Sequence, residues 1–435
     1  MLKLAEIKQI ILEQRDIFLQ TERIIKRDIL LDPRFMDICR LREAVIITGV
    51  RRCGKSYLMK LIWKKLKKEL NNGEDNFLYV NFESEKMLNF TAQDFDALLE
   101  AYRELFNSDG KQKIFLFFDE IQNILGWEKF ISRLLEEDKY KIFITGSNAS
   151  LLSKEIGTAL TGRNFPMCLF PLSFKEFYHY RANREIKNVA WLKKEDKAGI
   201  KKIFRDFLNI GGFPEVVKNN FRPLLEEYLR NIIYRDIVLR HRIKYEASLR
   251  EIVLFLASNI GAPLSLSKIS QMTKVKNVMT VKNYLSHLED SFLFYFVHQH
   301  SFSVKQQIYN PDKSYLCDIG LYQEINLSPG GNDGRILENL VFNELTRRDF
   351  SVFYFTAKKE CDFILQKKNK VVGAIQVGQR LDDTNKDREL AGLLSAMEKY
   401  GLKEGLILNE DEEDELIVKG AKINIVPIYK WLLFL

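Results

Sequence analysis

Cysteine is scarce in this chain and badly placed for cross-linking. The five residues (Cys39, Cys53, Cys168, Cys317 and Cys361) are odd in number and form no Cys-x-x-Cys pair. That argues against a disulfide framework and a zinc site, and makes the reducing cytoplasm the expected location. Long apolar runs are also missing. None reaches the roughly 20 residues that a bilayer core requires, and the opening residues lack the basic–apolar–small order of a secretion signal, so no membrane association is expected. The five histidines are dispersed and no Ser/His/Asp triad is indicated. His298 and His300 read as ordinary strand residues with no carboxylate at ligand spacing, and no role is assigned to them. A large surplus of either charge is absent as well: 67 basic against 59 acidic residues leave a formal +8. That mild excess suits a phosphate-bearing partner, and equally a balanced surface with a little extra lysine.

What is present is enough chain and enough apolar content for several cores. At 435 residues and 46% hydrophobic, two to four compact units are expected. The rest is organised around residues 44–58. Val45, Ile46 and Ile47 read as a strand buried on both faces, an amphipathic helix follows from Lys55, and between them lies Gly-x-x-x-x-Gly-Lys-Ser (Gly49, Val50, Arg51, Arg52, Cys53, Gly54, Lys55, Ser56, then Tyr57). Gly49 and Gly54 permit backbone conformations that turn successive N–H groups around phosphate oxygens. The positive end of the helix points at the same anion. Lys55 adds a full charge near the β- and γ-phosphates, and the Ser56 hydroxyl is suited to Mg2+. This pattern predicts a nucleotide site with ATP and Mg2+ as cofactors.

Downstream, residues 77–82 read as a second strand and 113–120 as a third, closing on Asp119 and Glu120. Asp119 is expected to complete the Mg2+ shell opposite Ser56, and Glu120 to orient the attacking water. A further strand ends in Ile-Thr-Gly-Ser-Asn. Asn148 is the candidate γ-phosphate sensor, with Thr145 and Ser147 behind it, although an Asn capping the next helix fits the same position. Arg163, in Leu-Thr-Gly-Arg, is placed to act as an arginine finger on a neighbouring subunit's site, or as a structural ion-pair partner.

The set Gly-Val-Arg-Arg-Cys-Gly-Lys-Ser, Phe-Phe-Asp-Glu-Ile-Gln, Ile-Thr-Gly-Ser-Asn, Leu-Thr-Gly-Arg and Pro-Leu-Ser-Phe-Lys-Glu-Phe, with Gly211-Gly-Phe-Pro-Glu215 further on, resembles a widespread prokaryotic family of predicted AAA+ ATPases. The resemblance covers nearly the whole chain. It implies an α/β P-loop NTPase (AAA+) core with a parallel sheet in residues 1–172, a helical lid in 173–245, and a C-terminal region of poorly understood function.

In that region, 246–330 read as helix, helix, longer helix and hairpin, the order of a winged helix. The third helix buries Val281, Tyr284, Leu285 and Leu288 and leaves Lys282, Asn283, Ser286 and His287 largely outward, side chains able to contact phosphate or base edges. DNA is the expected partner; packing against the ATPase or another protein is the alternative. Residues 331–435 form a separate α/β unit that resembles the restriction-endonuclease-like fold. The resemblance implies metal-holding carboxylates at Glu338 and Asp362. Gln376 stands where the metal-binding Glu belongs and Gly378 where the lysine belongs, so the fold is expected to be degenerate, with Lys358, Lys359 or Arg380 as spatial substitutes for the amine. The acidic run 410–415 reads as a solvated loop. The expected function is ATP hydrolysis coupled to DNA binding or remodelling. The alternatives are an ATP-controlled nuclease and an ATP-dependent switch on protein partners, and a homo-oligomer is expected if Arg163 acts in trans.

Overall fold

Five short strands of β-branched and aromatic residues make the first sheet: β1 (Ala44–Thr48), β2 (Phe77–Asn81), β3 (Ile114–Asp119), β4 (Tyr140–Gly146) and β5 (Asn164–Cys168). Every residue of β1, β3 and β4 is buried, because helices cover both faces of an all-parallel sheet. The order is β2-β3-β4-β1-β5, with each neighbouring pair parallel. β4 therefore lies between the strand that feeds the phosphate loop and the strand that ends in Asp119.

The computed structural model describes residues 2–20, 24–70, 73, 75–106, 113–148, 162–184, 194–273, 275, 277–325, 333–381 and 386–434. Part of the Leu-Thr-Gly-Arg stretch falls outside them. The chain divides into two compact units, Met1–Leu169 and Phe170–Leu435.

In the first unit the helix Leu4–Leu19 packs Ile7, Ile10 and Ile11 into the same core as Leu116 and Phe118 of β3. This helix ends at Leu19. Residues Asp28–Leu31 form a 3-10 turn, and Phe35–Arg40 make a short helix after Pro33, whose fixed φ and missing N–H interrupt an α-helix.

The second unit opens with helices Phe174–Ala182, Lys194–Ile210, Pro214–Asn219 and Leu224–Asn231. Ser173 caps the first through a reciprocal box with Glu176, the arrangement that satisfies orphan N–H groups at a helix start. The next segment, Ile232–Leu239, is a π-helix. Helices Glu246–Ser258, Leu266–Met272 and Val278–Asp290 follow, then the antiparallel pair β6 (Phe294–Val297) and β7 (Lys313–Leu316). The chain leaving β6 continues to the next sheet, where Gln299 bridges Tyr354.

That sheet has six strands, β8 (Ser351–Thr356), β9 (Glu360–Lys367), β10 (Lys370–Val377), β11 (Glu404–Asn409), β12 (Asp414–Val418) and β13 (Ala421–Pro427), in the order β12-β13-β11-β10-β9-β8. Helices Asp333–Arg347 and Lys386–Tyr400 accompany it, the latter burying Leu393, Ala396 and Met397 against Ile364 and Ile407.

Three readings need correction. The acidic run is not all loop, since its last two residues, Asp414 and Glu415, open the edge strand β12 with their side chains exposed. His298 does have a carboxylate partner: its Nδ1 lies 2.5 Å from Asp312 Oδ1, which folding brings from the far side of the hairpin. His287 is half-buried and not outward; its ring stacks on that of His241.

Candidate nucleotide site and the C-terminal carboxylate cluster

At the carboxyl end of β1 the chain turns at Gly49, whose φ is +146° and where an added Cβ would lie 2.1 Å from the Leu169 carbonyl oxygen. Only glycine fits so close an approach. Arg52 and Gly54 also take positive φ, winding the loop into the helix that starts at Lys55. The loop is braced from the segment that precedes β1. Buried Arg27 donates from Nη1 to the Cys53 carbonyl at 3.1 Å, and Tyr57 accepts at its hydroxyl from the Ile25 N–H at 3.1 Å. Arg51 pairs with Glu83 at 3.0 Å.

The Lys55 ammonium, nearly fully buried, donates to Gly49 O at 3.0 Å and Val50 O at 3.4 Å and stands 3.7 Å from Glu120 Oε1. Asp119, at the end of β3, accepts hydrogen bonds from the hydroxyls of Tyr79 (2.9 Å), Thr145 and Ser56. Burial, and then the neighbouring Glu120 carboxylate, push the Asp119 carboxyl above its usual range. A carboxylate in that position gains from a cation beside it. Glu120 is a non-glycine residue in left-handed conformation, φ +52°, a conformation that costs energy and clusters at functional positions. Its N–H donates to Thr145 Oγ1 at 2.9 Å and its carboxylate accepts from Gln122.

Thr145 thus bonds both acidic residues at once, which follows from β4 lying between β1 and β3. Ser147 and Asn148 are buried immediately beyond the same strand. The structure brings Gly49, Val50, Lys55, Ser56, Asp119 and Glu120 together at one end of the sheet. Arg163 sits at the other end, where Asn164 pairs with Ala44 at the start of β1, and it is exposed with Glu136 at 3.6 Å. Five residues of strand span about 16 Å, so Arg163 does not reach the loop of its own chain. Tyr79 and Arg27 are the contributors the sequence did not reveal; nothing in their local pattern separates them from core residues.

An oxygen-only set of Ser56 and Asp119, with backbone N–H groups and one ammonium alongside, suits a hard divalent cation and a polyphosphate. The residues present fit ATP·Mg2+.

The C-terminal sheet carries a second ionic cluster. Lys313, on β7, is fully buried. Its Nζ lies 2.6 Å from Glu360 Oε1, 3.4 Å from Glu338 Oε1 and 4.0 Å from Asp362 Oδ1. Tyr315, two residues on, donates to Glu338 Oε1 at 2.7 Å. Gly261 (φ +71°) presses on the same carboxylate, and a Cβ there would sit 2.7 Å from Glu338 Oε2. Asp362 Oδ2 accepts from the Val377 N–H at 2.8 Å, while Gln376 donates to Glu389 at 2.6 Å.

Burial alone would lower the Lys313 pKa, but the charges of Glu338, Asp362 and Glu360 hold it above the ordinary lysine value. Burial raises both Glu338 and Asp362. The sequence placed the replacement amine among Lys358, Lys359 and Arg380. The cation standing among the carboxylates is instead Lys313, from a strand outside the segment, and sequence distance concealed it.

Three family models match the chain: an AAA domain over residues 41–178, a domain of unknown function (DUF8612) over 201–329 and another (DUF4143) over 333–431. A relative from Methanocaldococcus jannaschii, described as uncharacterized, is 36% identical over 408 residues, covering 89% of this chain and 88% of its own. A second, from Haemophilus influenzae and likewise described, is 33% identical, covering 89% and 94%. Among solved structures, the Aeropyrum pernix Orc1 protein in complex with DNA aligns at 11% identity with a TM-score of 0.32, over 72% of this chain and 95% of its own. Cdc6p from Pyrobaculum aerophilum aligns at 12% and 0.28, over 75% and 98%. Agreement that loose carries no argument about this chain. With a parallel P-loop sheet, its acidic strand and the close full-length relatives, the chain belongs to a prokaryotic family of AAA+ P-loop proteins whose AAA domain is followed by two domains of unknown function.

Proposed function

We propose that this chain hydrolyses ATP and couples the cycle to DNA through its C-terminal region. The observation that carries the proposal is the convergence of Lys55, Ser56, Asp119 and Glu120 at the carboxyl end of one parallel sheet, where ligands of open α/β sheets bind. Bound Mg2+ would neutralise developing negative charge on the phosphates. Ser56 and Asp119 would hold the ion. Loop N–H groups of residues 49–56 and the Lys55 ammonium would hold the phosphates, and Tyr57 keeps the loop seated. Glu120, oriented by Thr145, would accept a hydrogen bond from water and align it in line with the terminal phosphate. Asn148 would sense that phosphate from the β4 end. Arg163, too distant to serve its own site, would complete a neighbour's in a homo-oligomer.

The DNA part of the proposal rests on the helix Val278–Asp290, which presents Lys282, Asn283 and Ser286 to solvent, and on the basic excess of the chain. In this reading residues 1–172 are the engine, 173–245 the lid, 246–330 the DNA-contacting winged helix, and 331–435 a nuclease-like unit kept for binding or assembly.

Turnover of ATP by the wild type, Lys55→Ala and Glu120→Gln, with and without duplex DNA at two salt concentrations, tests it. Loss of either charged group should lower turnover roughly 100-fold or more; Lys55→Ala should also weaken nucleotide binding, whereas Glu120→Gln should retain it. DNA should stimulate the wild type, and stimulation should fall steeply with salt. A wild type without Mg2+-dependent phosphate release, or a Lys55→Ala protein within twofold of it, overturns the ATPase proposal. Unchanged turnover with DNA at low salt overturns the coupling.

A further inference from the structure

The geometry points to a zinc-class metal site formed by His241, His287 and Asp290, a function separate from the nucleotide site. Their donor atoms, one ring nitrogen from each histidine and a carboxylate oxygen, all lie within 4.8 Å of one another. The two imidazole rings are stacked 3.7 Å apart and tilted by only 16°. His241 Nε2 and His287 Nδ1 are both shielded from water.

The backbone of two elements delivers these donors. His287 and Asp290 are one helical turn apart on Val278–Asp290, so they share a face. His241 ends the helical run that passes through the π-helix Ile232–Leu239, and Arg242 directly after it turns left-handed at φ +52°. A π-helix shifts the phase of every residue that follows it, and such segments recur at functional sites. Here it sets the face on which His241 emerges, and the left-handed Arg242 ends the helix immediately afterwards.

Two nitrogens and one carboxylate oxygen form the donor set of zinc and its first-row neighbours; magnesium and calcium prefer all-oxygen surroundings. Tetrahedral bonds of about 2.0–2.1 Å separate donors by roughly 3.3 Å. The three groups therefore need to close by at most about 1.5 Å, with the stacked rings fanning apart so that their lone pairs converge. Three protein ligands leave the fourth position for water. The absence of Cys-x-x-Cys spacing argued against zinc, but that argument concerns ligands close in sequence and is blind to a pair of histidines brought together by packing. The bound ion would tie the end of the π-helical segment to the helix that exposes Lys282 and Asn283, fixing the angle of that face.

The test uses the full-length chain, stripped with a chelator and dialysed against limiting Zn2+, with metal content read by mass spectrometry and ligation by the visible spectrum of the Co2+ form. The expected result is one metal per chain, a tetrahedral nitrogen/oxygen Co2+ spectrum without thiolate charge transfer, and a higher melting temperature with Zn2+. His287→Ala and Asp290→Asn should each weaken binding at least tenfold, and Cys168→Ser, at the exposed cysteine, should leave it unchanged. Where His287→Ala unfolds, Asp290→Asn and the wild-type Co2+ spectrum decide. No stoichiometric zinc in the wild type, thiolate bands in the Co2+ spectrum, or full zinc retention by folded His287→Ala or Asp290→Asn overturns the site.

Discussion

Lys313→Met is the most informative single change outside the nucleotide loop. It keeps the length of the side chain and removes its charge. In the wild type the ammonium is fully buried among Glu338 (side chain 13% exposed), Asp362 (10%) and the more open Glu360 (38%). Removing one partner from a buried ionic group leaves uncompensated charge and costs roughly 3–5 kcal/mol; the solvent-screened Glu360 contact adds little to that. Native-state hydrogen exchange of the β9 and β10 amides reads the loss in the second unit directly, whatever the first unit does.

The sign of its pH dependence is fixed. Without the lysine, the Glu338 and Asp362 pKa values, already raised by burial, rise further. Carboxyls with raised folded-state pKa favour the fold while protonated and lose that contribution as pH climbs through the folded value. The deficit of Lys313→Met should therefore shrink between pH 7 and pH 5. Adding Glu338→Gln should cost less than the sum of the two single changes, because the pair is coupled. Protection within about 0.5 kcal/mol of wild type, or strict additivity, refutes the reading of Lys313 as the internal counter-ion of this cluster.

Three further outcomes rest on the geometry. Tyr79→Phe removes one of the hydroxyls on Asp119 while keeping the ring stacked on Phe18 at 4.3 Å; loss of one hydrogen bond, about 1 kcal/mol, should slow ATP turnover severalfold. Thr145→Val, which breaks contacts to both Asp119 and the Glu120 N–H, should slow it more, and the reverse order in steady-state rates would contradict the arrangement. His298 should titrate above its ordinary value by NMR, because its hydrogen bond to Asp312 outweighs burial. Its contribution to stability is present below the unfolded pKa and is lost as pH rises through the folded one. Asp312→Asn should bring the titration back down, and an unchanged titration would contradict the contact.

The sequence by itself determined the P-loop and the class of its sheet. A buried strand, a glycine-framed turn and a helix-starting Lys-Ser are local patterns of neighbouring residues, although the close approach that makes glycine obligatory at Gly49 comes from the distant Leu169 carbonyl. The acidic strand was legible for the same reason, since an apolar run ending in Asp119 and Glu120 states both its burial and its polar end.

Tertiary structure decided what depends on residues distant along the chain. Thr145 touches both acidic residues because β4 is inserted between β1 and β3, and strand order is not a local property. Arg27 reaches Cys53, Lys313 reaches Glu338 and Asp362, and His241 meets His287 through packing that no short-range pattern encodes. The physical division is one of range. Steric and hydrogen-bonding preferences of neighbouring residues write strands, turns and caps into the sequence. Buried charges find their partners through the whole fold, because desolvation makes pairing compulsory without saying which distant residue will supply it.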